Sequence, residues 1–339
     1  MNKKNKNFRL TARRSCLRLA NIIILWLLGC SIALAGELGG RKRIGLVLGG
    51  GGAKGAAEVG VLKVLEEYGI YPDYIAGTSI GAIVGGLYAC GYRAADLEEL
   101  FRTQEWLSLL GDRNTELRNK VYEERDGTTY IFGFPIGRNP QKTDIEESPL
   151  GALTGRKVTQ LLDSLTKKYD GIKSFDQLPI PFRCVAVDIR NVEEIIMDSC
   201  EIEVAMRASM ALPGAFKPVR WKGRLLVDGG MLNNLPVDVV RKMGADIVIA
   251  IDLETIQHSA PTYSLKESLG IGGLVDWAVS RPDRKKAKAN RDDADIYINP
   301  QLFGYDATSF SSESIEDMLE RGERAARAMD KQLRKLSRR

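Results

Sequence analysis

Tyr74-Ile75-Ala76-Gly77-Thr78-Ser79-Ile80-Gly81 is a short β-branched and aromatic run that breaks into a GxSxG pentapeptide and continues as the apolar stretch Ile80 to Ala89. Read for backbone geometry, it is a strand from Tyr74 to Ala76, a sharp turn capped by Ser79, and a helix. Gly77 and Gly81 remove side-chain bulk on either side of the turn, which lets a serine stand exposed at its tip. The helix that follows offers free amides and a positive dipole end to developing negative charge. A serine hydroxyl needs a base, and the usual base is an imidazole. The chain has one histidine, His258, in the polar stretch Thr255 to Pro261. It reads as a solvated loop residue, with folding back over the serine as the alternative.

Upstream lies a second unit of the same kind. Arg43 to Leu48 reads as a buried strand, Gly49 to Gly52 as a tight loop, and Val59, Leu62, Val64 and Leu65 as one side of a helix ending at Tyr68-Gly69. Further on, the pattern gives a helix from Arg156 to Tyr169, strands Phe182 to Asp188 and Arg224 to Val227, a helix Val237 to Met243 and a strand Asp246 to Ile251. This alternation predicts an α/β fold, a three-layer α/β/α sandwich around a mostly parallel sheet. Residues 103–150 are polar and punctuated by Gly127, Gly133, Pro135, Gly137 and Pro140, so loops and a hairpin in a substrate-facing cap are expected there. Ser314 to Leu336 reads as one amphipathic helix, packed on the sheet, with Ile315, Met318, Leu319, Ala325, Ala326, Met329 and Leu333 on one face. The domain reading is thus 1–35 as a leader, 44–255 as the core and 256–339 as a C-terminal extension.

The composition, 44% hydrophobic and 27% charged over 339 residues, suits a chain with a substantial core. The formal charge of +5 comes from the N-terminus: Lys3, Lys4, Lys6, Arg9, Arg13, Arg14 and Arg18 precede any acid, and beyond them 42 basic residues face 44 acidic ones. A body built for nucleic acid is not indicated. The same N-terminal residues, followed by the apolar run Ile22 to Leu28 and by Ala33-Leu34-Ala35, read as a secretory signal. Two processing sites compete, cleavage after Ala35 and a lipobox-like Leu27-Leu28-Gly29-Cys30 that would leave Cys30 lipidated. The chain is therefore expected to be exported, periplasmic or attached to an outer membrane. Cys90, Cys184 and Cys200 are widely spaced, show no disulfide or metal-ligand pattern, and read as core residues.

Gly50-Gly51-Gly52-Ala53-Lys54-Gly55 follows a strand and opens a helix, so its amides can converge on an anion such as the oxyanion of an acyl intermediate. Gly50, Gly52 and Gly55 also satisfy GxGxxG. A dinucleotide site would want an acid at the end of the next strand, where Ala76-Gly77 stands, and a P-loop would want Ser or Thr after Lys54. Nucleotide binding is accordingly the minor reading. Asp228-Gly229-Gly230 directly follows Leu225-Leu226-Val227, where a carboxylate at a strand end can reach a neighbouring turn and the glycines permit close approach.

Glycine loop, GxSxG serine and Asp-Gly-Gly aspartate, in that order, resemble the patatin-like phospholipase family. The resemblance runs from about Ile44 to Leu253 and includes Ala208-Ser209-Met210-Ala211-Leu212-Pro213-Gly214-Ala215-Phe216-Lys217-Pro218. It implies a Ser79–Asp228 catalytic dyad and oxyanion donors at Gly51 and Gly52, with the Ile80 amide as an addition. It also implies a phosphate contact at Lys54, for which a structural lysine is the equal alternative. Also implied is hydrolysis of phospholipid acyl esters through an acyl-enzyme, on a membrane surface, with no metal, organic cofactor or nucleotide. An acyltransferase, a small-ester esterase and a non-catalytic envelope lipid-binding protein are the rival readings.

Overall fold

Strand β1, Ile44–Leu48, is buried at every position and divides its side chains between two faces of a sheet, as alternating Cβ directions require. Ile44, Leu46 and Leu48 enter one apolar cluster and Val47 another. The computed structural model describes residues 41–111, 123–125, 128–130, 151–255 and 284–338, with Arg43 onward in one compact unit. The same division recurs in β2 (Tyr74–Thr78), where Ile75 and Ala76 part company. It recurs again in β11 (Ile247–Ile251), where the three isoleucines face one way and Val248 and Ala250 the other.

The larger cluster lies under helices α1 (Gly55–Glu67), α2 (Ile80–Ala89), α3 (Ala94–Thr103) and α6 (Ile202–Ser209), and the smaller under α7 (Val237–Lys242). A sheet buried on both faces by helices is a three-layer α/β/α arrangement. Each fully buried leucine or isoleucine in these layers contributes about 1.5–3 kcal/mol.

The sheet order is β12-β11-β1-β2-β6-β10-β9, with β7 also paired to β6. Here β6 is Phe182–Asp188, β7 Glu193–Met197, β9 Val219–Trp221, β10 Arg224–Asp228 and β12 Ile296–Ile298. From β12 to β6 every pairing is parallel, while β7, β9 and β10 add antiparallel ones. Strand β6 has two edges. Cys184 to Asp188 pair with β7 on one of them, so β2, which pairs with Phe182 to Val185, and β10, which pairs with Ala186 to Asp188, must share the other. Because β2 runs parallel and β10 antiparallel, their C-terminal ends meet head-on, Thr78 opposite Val185 and Asp228 opposite Ala186.

Two small sheets lie outside this one. Glu123–Arg125 (β3) pairs with Thr128–Tyr130 (β4), within the stretch expected to hold a hairpin, and Gly151–Leu153 (β5) pairs with Gly214–Phe216 (β8). The remaining helices are α4 (Trp106–Leu110), α5 (Arg156–Thr166), α8 (Arg284–Asp293), α9 (Ser312–Arg327) and α10 (Asp330–Ser337).

Several boundaries differ from the sequence reading. Strand β2 runs past Ala76 to Thr78, because β1 and β6 supply partners for Gly77 and Thr78. Asp228 is the last residue of β10 instead of the first beyond it. The helix read to Tyr169 ends at Thr166 and tightens into a 3₁₀ turn, Lys167–Tyr169. The segment read as one helix from Ser314 to Leu336 is two, broken where Met329 leaves helical geometry at φ −92, ψ 15. Leu333 and Leu336 stay buried beyond the break, so the apolar spacing runs on and hides it.

Helix α9 starts where the Ser311 side chain accepts the Ser314 N–H. Its Ile315, Met318, Leu319, Gly322 and Ala326 form the buried stripe against α1. The two helices touch through glycines: a Cβ on Gly60 would lie 2.1 Å from the Leu319 carbonyl oxygen, and one on Gly322 2.0 Å from that of Ala57. His258, Cys30 and Ala35 lie outside the described residues.

Candidate active site

Ser79 stands between β2 and α2 with φ 56 and ψ −121, a left-handed conformation for a residue that carries a Cβ. Such a backbone costs about 1–3 kcal/mol and persists only where its surroundings impose it. They do so at close range. A Cβ on Gly77 would fall 2.2 Å from the Gly81 carbonyl oxygen, and one on Gly81 2.4 Å from that of Leu48. The GxSxG glycines therefore allow the turn to fold onto itself and onto the end of β1. Ser79 is half-buried. Its main-chain N–H donates to Ser209 Oγ at 2.9 Å, and that hydroxyl donates to the Val185 carbonyl at 2.6 Å.

Asp228 is 2% exposed and reaches the elbow from the facing strand end. Its carboxylate accepts the Gly230 N–H at 2.7 Å, and the Ser79 side chain is near enough to act on it. Burial pushes the carboxyl up to about 6, against the downward pull of the Gly230 N–H and the Ser79 side chain. Its main-chain N–H donates to the Ala211 carbonyl at 3.0 Å. Ser209-Met210-Ala211, at the end of α6, thus bonds to the main-chain N–H of both residues. Gly229 approaches so closely that a Cβ there would lie 2.3 Å from the Val185 carbonyl oxygen.

The glycine loop lies on the other side of the elbow. A Cβ on Gly50 would sit 3.1 Å from the Ser79 Cβ. The Gly50 N–H is held by the Asn234 carbonyl at 3.2 Å, whereas the Gly51, Gly52 and Ile80 N–H groups have no backbone acceptor among the described residues. The would-be side chain of Gly51 faces Leu253 and Lys54. That of Gly52, which has φ +60, faces Ala307, whose carbonyl accepts the Ala53 N–H at 3.0 Å. Gly55 gives room to the Ile80 side chain, locking the loop to the elbow helix.

Lys54 is 6% exposed, and its charge acts on the carboxyls of Glu254 and Asp306. A lipid phosphate would have to share it with those acids, an arrangement that suits a structural cation. Beneath the loop, Glu58 is fully buried with neither carboxylate oxygen partnered among the described residues. Burial holds its carboxyl well above the usual range, and a neutral side chain is the physical consequence.

Two residues escaped the sequence reading. Ser209 carries no motif of its own; its signal is a lone hydroxyl in the otherwise apolar stretch Ala208 to Leu212. Asn234 belongs to Asn233-Asn234-Leu235-Pro236, where polar residues interrupt a buried turn. Its neighbour Asn233 accepts from the Thr78 hydroxyl through its carbonyl, tying the turn to β2. Among the described residues no group of His, Cys, Asp and Glu is arranged to hold a metal ion, and no helix is long and apolar enough to cross a membrane.

The family model described as patatin-like phospholipase matches residues 46–241, which hold the elbow, the glycine loop and Asp228. "Lysophospholipase nte1" of Emericella nidulans is 34% identical over 228 residues, 67% of this chain and 13% of that protein. "Patatin-like phospholipase domain-containing protein ZK370.4" of Caenorhabditis elegans is 35% identical over 219 residues, 64% of this chain and 14% of the relative. The chain thus matches only a small part of the length of these curated relatives. Among solved structures, VipD from Legionella pneumophila aligns at TM-score 0.45 and 15% identity, over 86% of this chain and 67% of VipD.

Proposed function

The chain belongs to the patatin-like phospholipase family, and on that footing we propose that it is a serine hydrolase of the carboxylic esters of phospholipids or lysophospholipids. One observation carries the reading: β2 and β10 meet end to end on β6, bringing Ser79 next to Asp228, a buried carboxylate that accepts the Gly230 N–H and is lifted to about 6. A carboxylate with that affinity for protons is a stronger base than an ordinary aspartate, yet remains ionised at neutral pH. Ser79 attacks the ester carbonyl carbon as its proton passes to Asp228. The amides of Gly51 and Gly52, with that of Ile80, receive the oxyanion, and their lack of backbone acceptors among the described residues supports this role. Collapse expels the alcohol, which takes the proton from Asp228, and water then releases the fatty acid.

The N-terminal residues support export, with the mature protein either released after Ala35 or anchored through a lipidated Cys30. In both cases the substrate is met at a membrane surface.

A fluorophosphonate probe should label Ser79 and nothing else. Ser79→Ala should abolish both labelling and fatty-acid release from defined phospholipid vesicles, and Asp228→Asn should lower kcat by about 10²–10⁴-fold with the fold intact. Labelling that survives Ser79→Ala, or an Asp228→Asn enzyme at full speed, defeats the dyad.

A further inference from the structure

Strands β6 and β10 do not stop at the level of the catalytic residues. Val185 stands opposite Thr78, the last residue of β2, and Ala186 opposite Asp228, yet β6 runs on to Asp188 and β10 begins back at Arg224. At about 3.3 Å per residue, both project roughly 10 Å or more beyond the carboxyl end of β2. That is the end of the sheet where parallel strands open a crevice for a ligand. Two turns form the tip of the projection: residues 189–192 lead from β6 to β7, and residues 222–223 join β9 to β10. They are tied together, since Arg190 Nη1 donates to the Gly223 carbonyl at 3.2 Å and the Ile189 N–H to the Leu225 carbonyl at 3.0 Å. The buried Asp188 carboxylate accepts the Arg190 and Leu225 N–H groups beneath them.

What the turns display is not what folding asks for. Val192 is 62% exposed at φ 52, and Lys222 is exposed at φ 46. Left-handed turn positions favour glycine or asparagine, and a β-branched residue is strained there. Val192 neither packs nor suits its backbone, so the fold gains nothing from an apolar side chain at that point. Lys222 holds its Nζ 4.4 Å from the centre of the half-buried Trp221 ring. Residues 189–193 and 220–224 carry four cations, Arg190, Arg220, Lys222 and Arg224, against one acid, Glu193, which Arg224 meets at 3.5 Å. Beyond the N-terminal segment the chain has 42 basic residues to 44 acidic ones, so this positive excess is local to the tip.

Cations are drawn to anionic headgroups, while an indole and an exposed aliphatic side chain enter the interface beneath them. We infer that the two turns form a docking edge for an anionic phospholipid surface, which sets the crevice at Ser79 against the lipid. This rests on the reading of the substrate as a membrane phospholipid.

The test uses the full chain carrying Ser79→Ala, so that vesicles are not consumed, with and without Val192→Asn and Lys222→Asn together. Asparagine suits both left-handed positions, so the double change should melt close to its parent or above it. Co-sedimentation compares vesicles of phosphatidylcholine with vesicles of phosphatidylcholine and phosphatidylglycerol. The parent should prefer the anionic vesicles and lose that preference as salt is added. The double change should lower affinity for them at least about tenfold, since a single lysine at an anionic surface is worth about fivefold. Equal binding with and without the double change, binding indifferent to phosphatidylglycerol, or a melting temperature well below the parent's overturns the inference. Fluorophosphonate labelling of the wild-type chain separates the two readings. A reactive Ser79 in a chain with no preference for anionic vesicles defeats the docking edge alone. An inert Ser79 defeats the hydrolase reading, and with it the role of the turns in presenting substrate.

Discussion

The main-chain N–H of Ser79 donates to the side chain of Ser209 across 130 residues of sequence, and Ser209 passes the contact on to Val185. The strained serine is therefore held by its backbone, leaving its hydroxyl for Asp228. Substituting Ser209 by alanine leaves a buried N–H and a buried carbonyl without this partner. We expect a loss of about 1–3 kcal/mol in stability. A fall in kcat with little change in KM should accompany it, because Ser79 loses its fixed orientation while the substrate surface is untouched. Denaturant titration and steady-state kinetics check the two halves separately.

The pH profile follows from Asp228. Its folded value, about 6, lies above the ordinary 3.8, so the proposed base is lost by protonation as pH falls through about 6, and kcat/KM should drop there with a one-proton slope. Stability moves the opposite way. A raised carboxyl favours the folded state below its unfolded value, and that contribution is lost as pH rises through about 6. The ionised Asp228 thus costs the native state up to about 3 kcal/mol at neutral pH. Asp228→Asn should unfold at higher denaturant than wild type at pH 7.5, with the gap closing towards pH 4. A gap that ignores pH would assign the ionisation elsewhere.

The contact between α1 and α9 tests the C-terminal extension. Gly322→Ala would set a methyl group 2.0 Å from the Ala57 carbonyl, so the helices must separate, at a cost of about 1–3 kcal/mol. Gly69→Ala is the control: its φ is +68, but no atom lies within 4 Å of the added carbon, so only the backbone term of about 1–2 kcal/mol applies. Thermal melts should rank Gly322→Ala as the more damaging. Fluorophosphonate labelling well below either melting temperature should stay complete, since neither residue adjoins Ser79.

What the sequence made legible was local. Gly77, Gly81 and Gly229 mark places where backbone must approach backbone, and that demand is written in residue type. Near-continuous apolar runs gave the strands around Ser79, because almost every position of β1, β2, β6 and β10 is buried. The meeting of β2 and β10 on one edge of β6 was not legible, because register is a tertiary property that no single segment encodes. Ser209 and Asn234 stayed hidden for a related reason: a hydroxyl or carboxamide in an apolar stretch announces a partner without naming it. The break at Met329 was masked by an apolar spacing that continues across it, and the burial of Lys54 depends on acids supplied from far along the chain.

The head-on meeting of β2 and β10 has a kinetic consequence. Neither strand end carries the chemistry by itself, and the intervening chain must be drawn in before β6 can align them. Long-range pairings of this kind form late and slowly compared with helices. Reactivity at Ser79 should therefore be among the last native properties to return on refolding, which makes a covalent probe of the serine a clock for completion of the sheet.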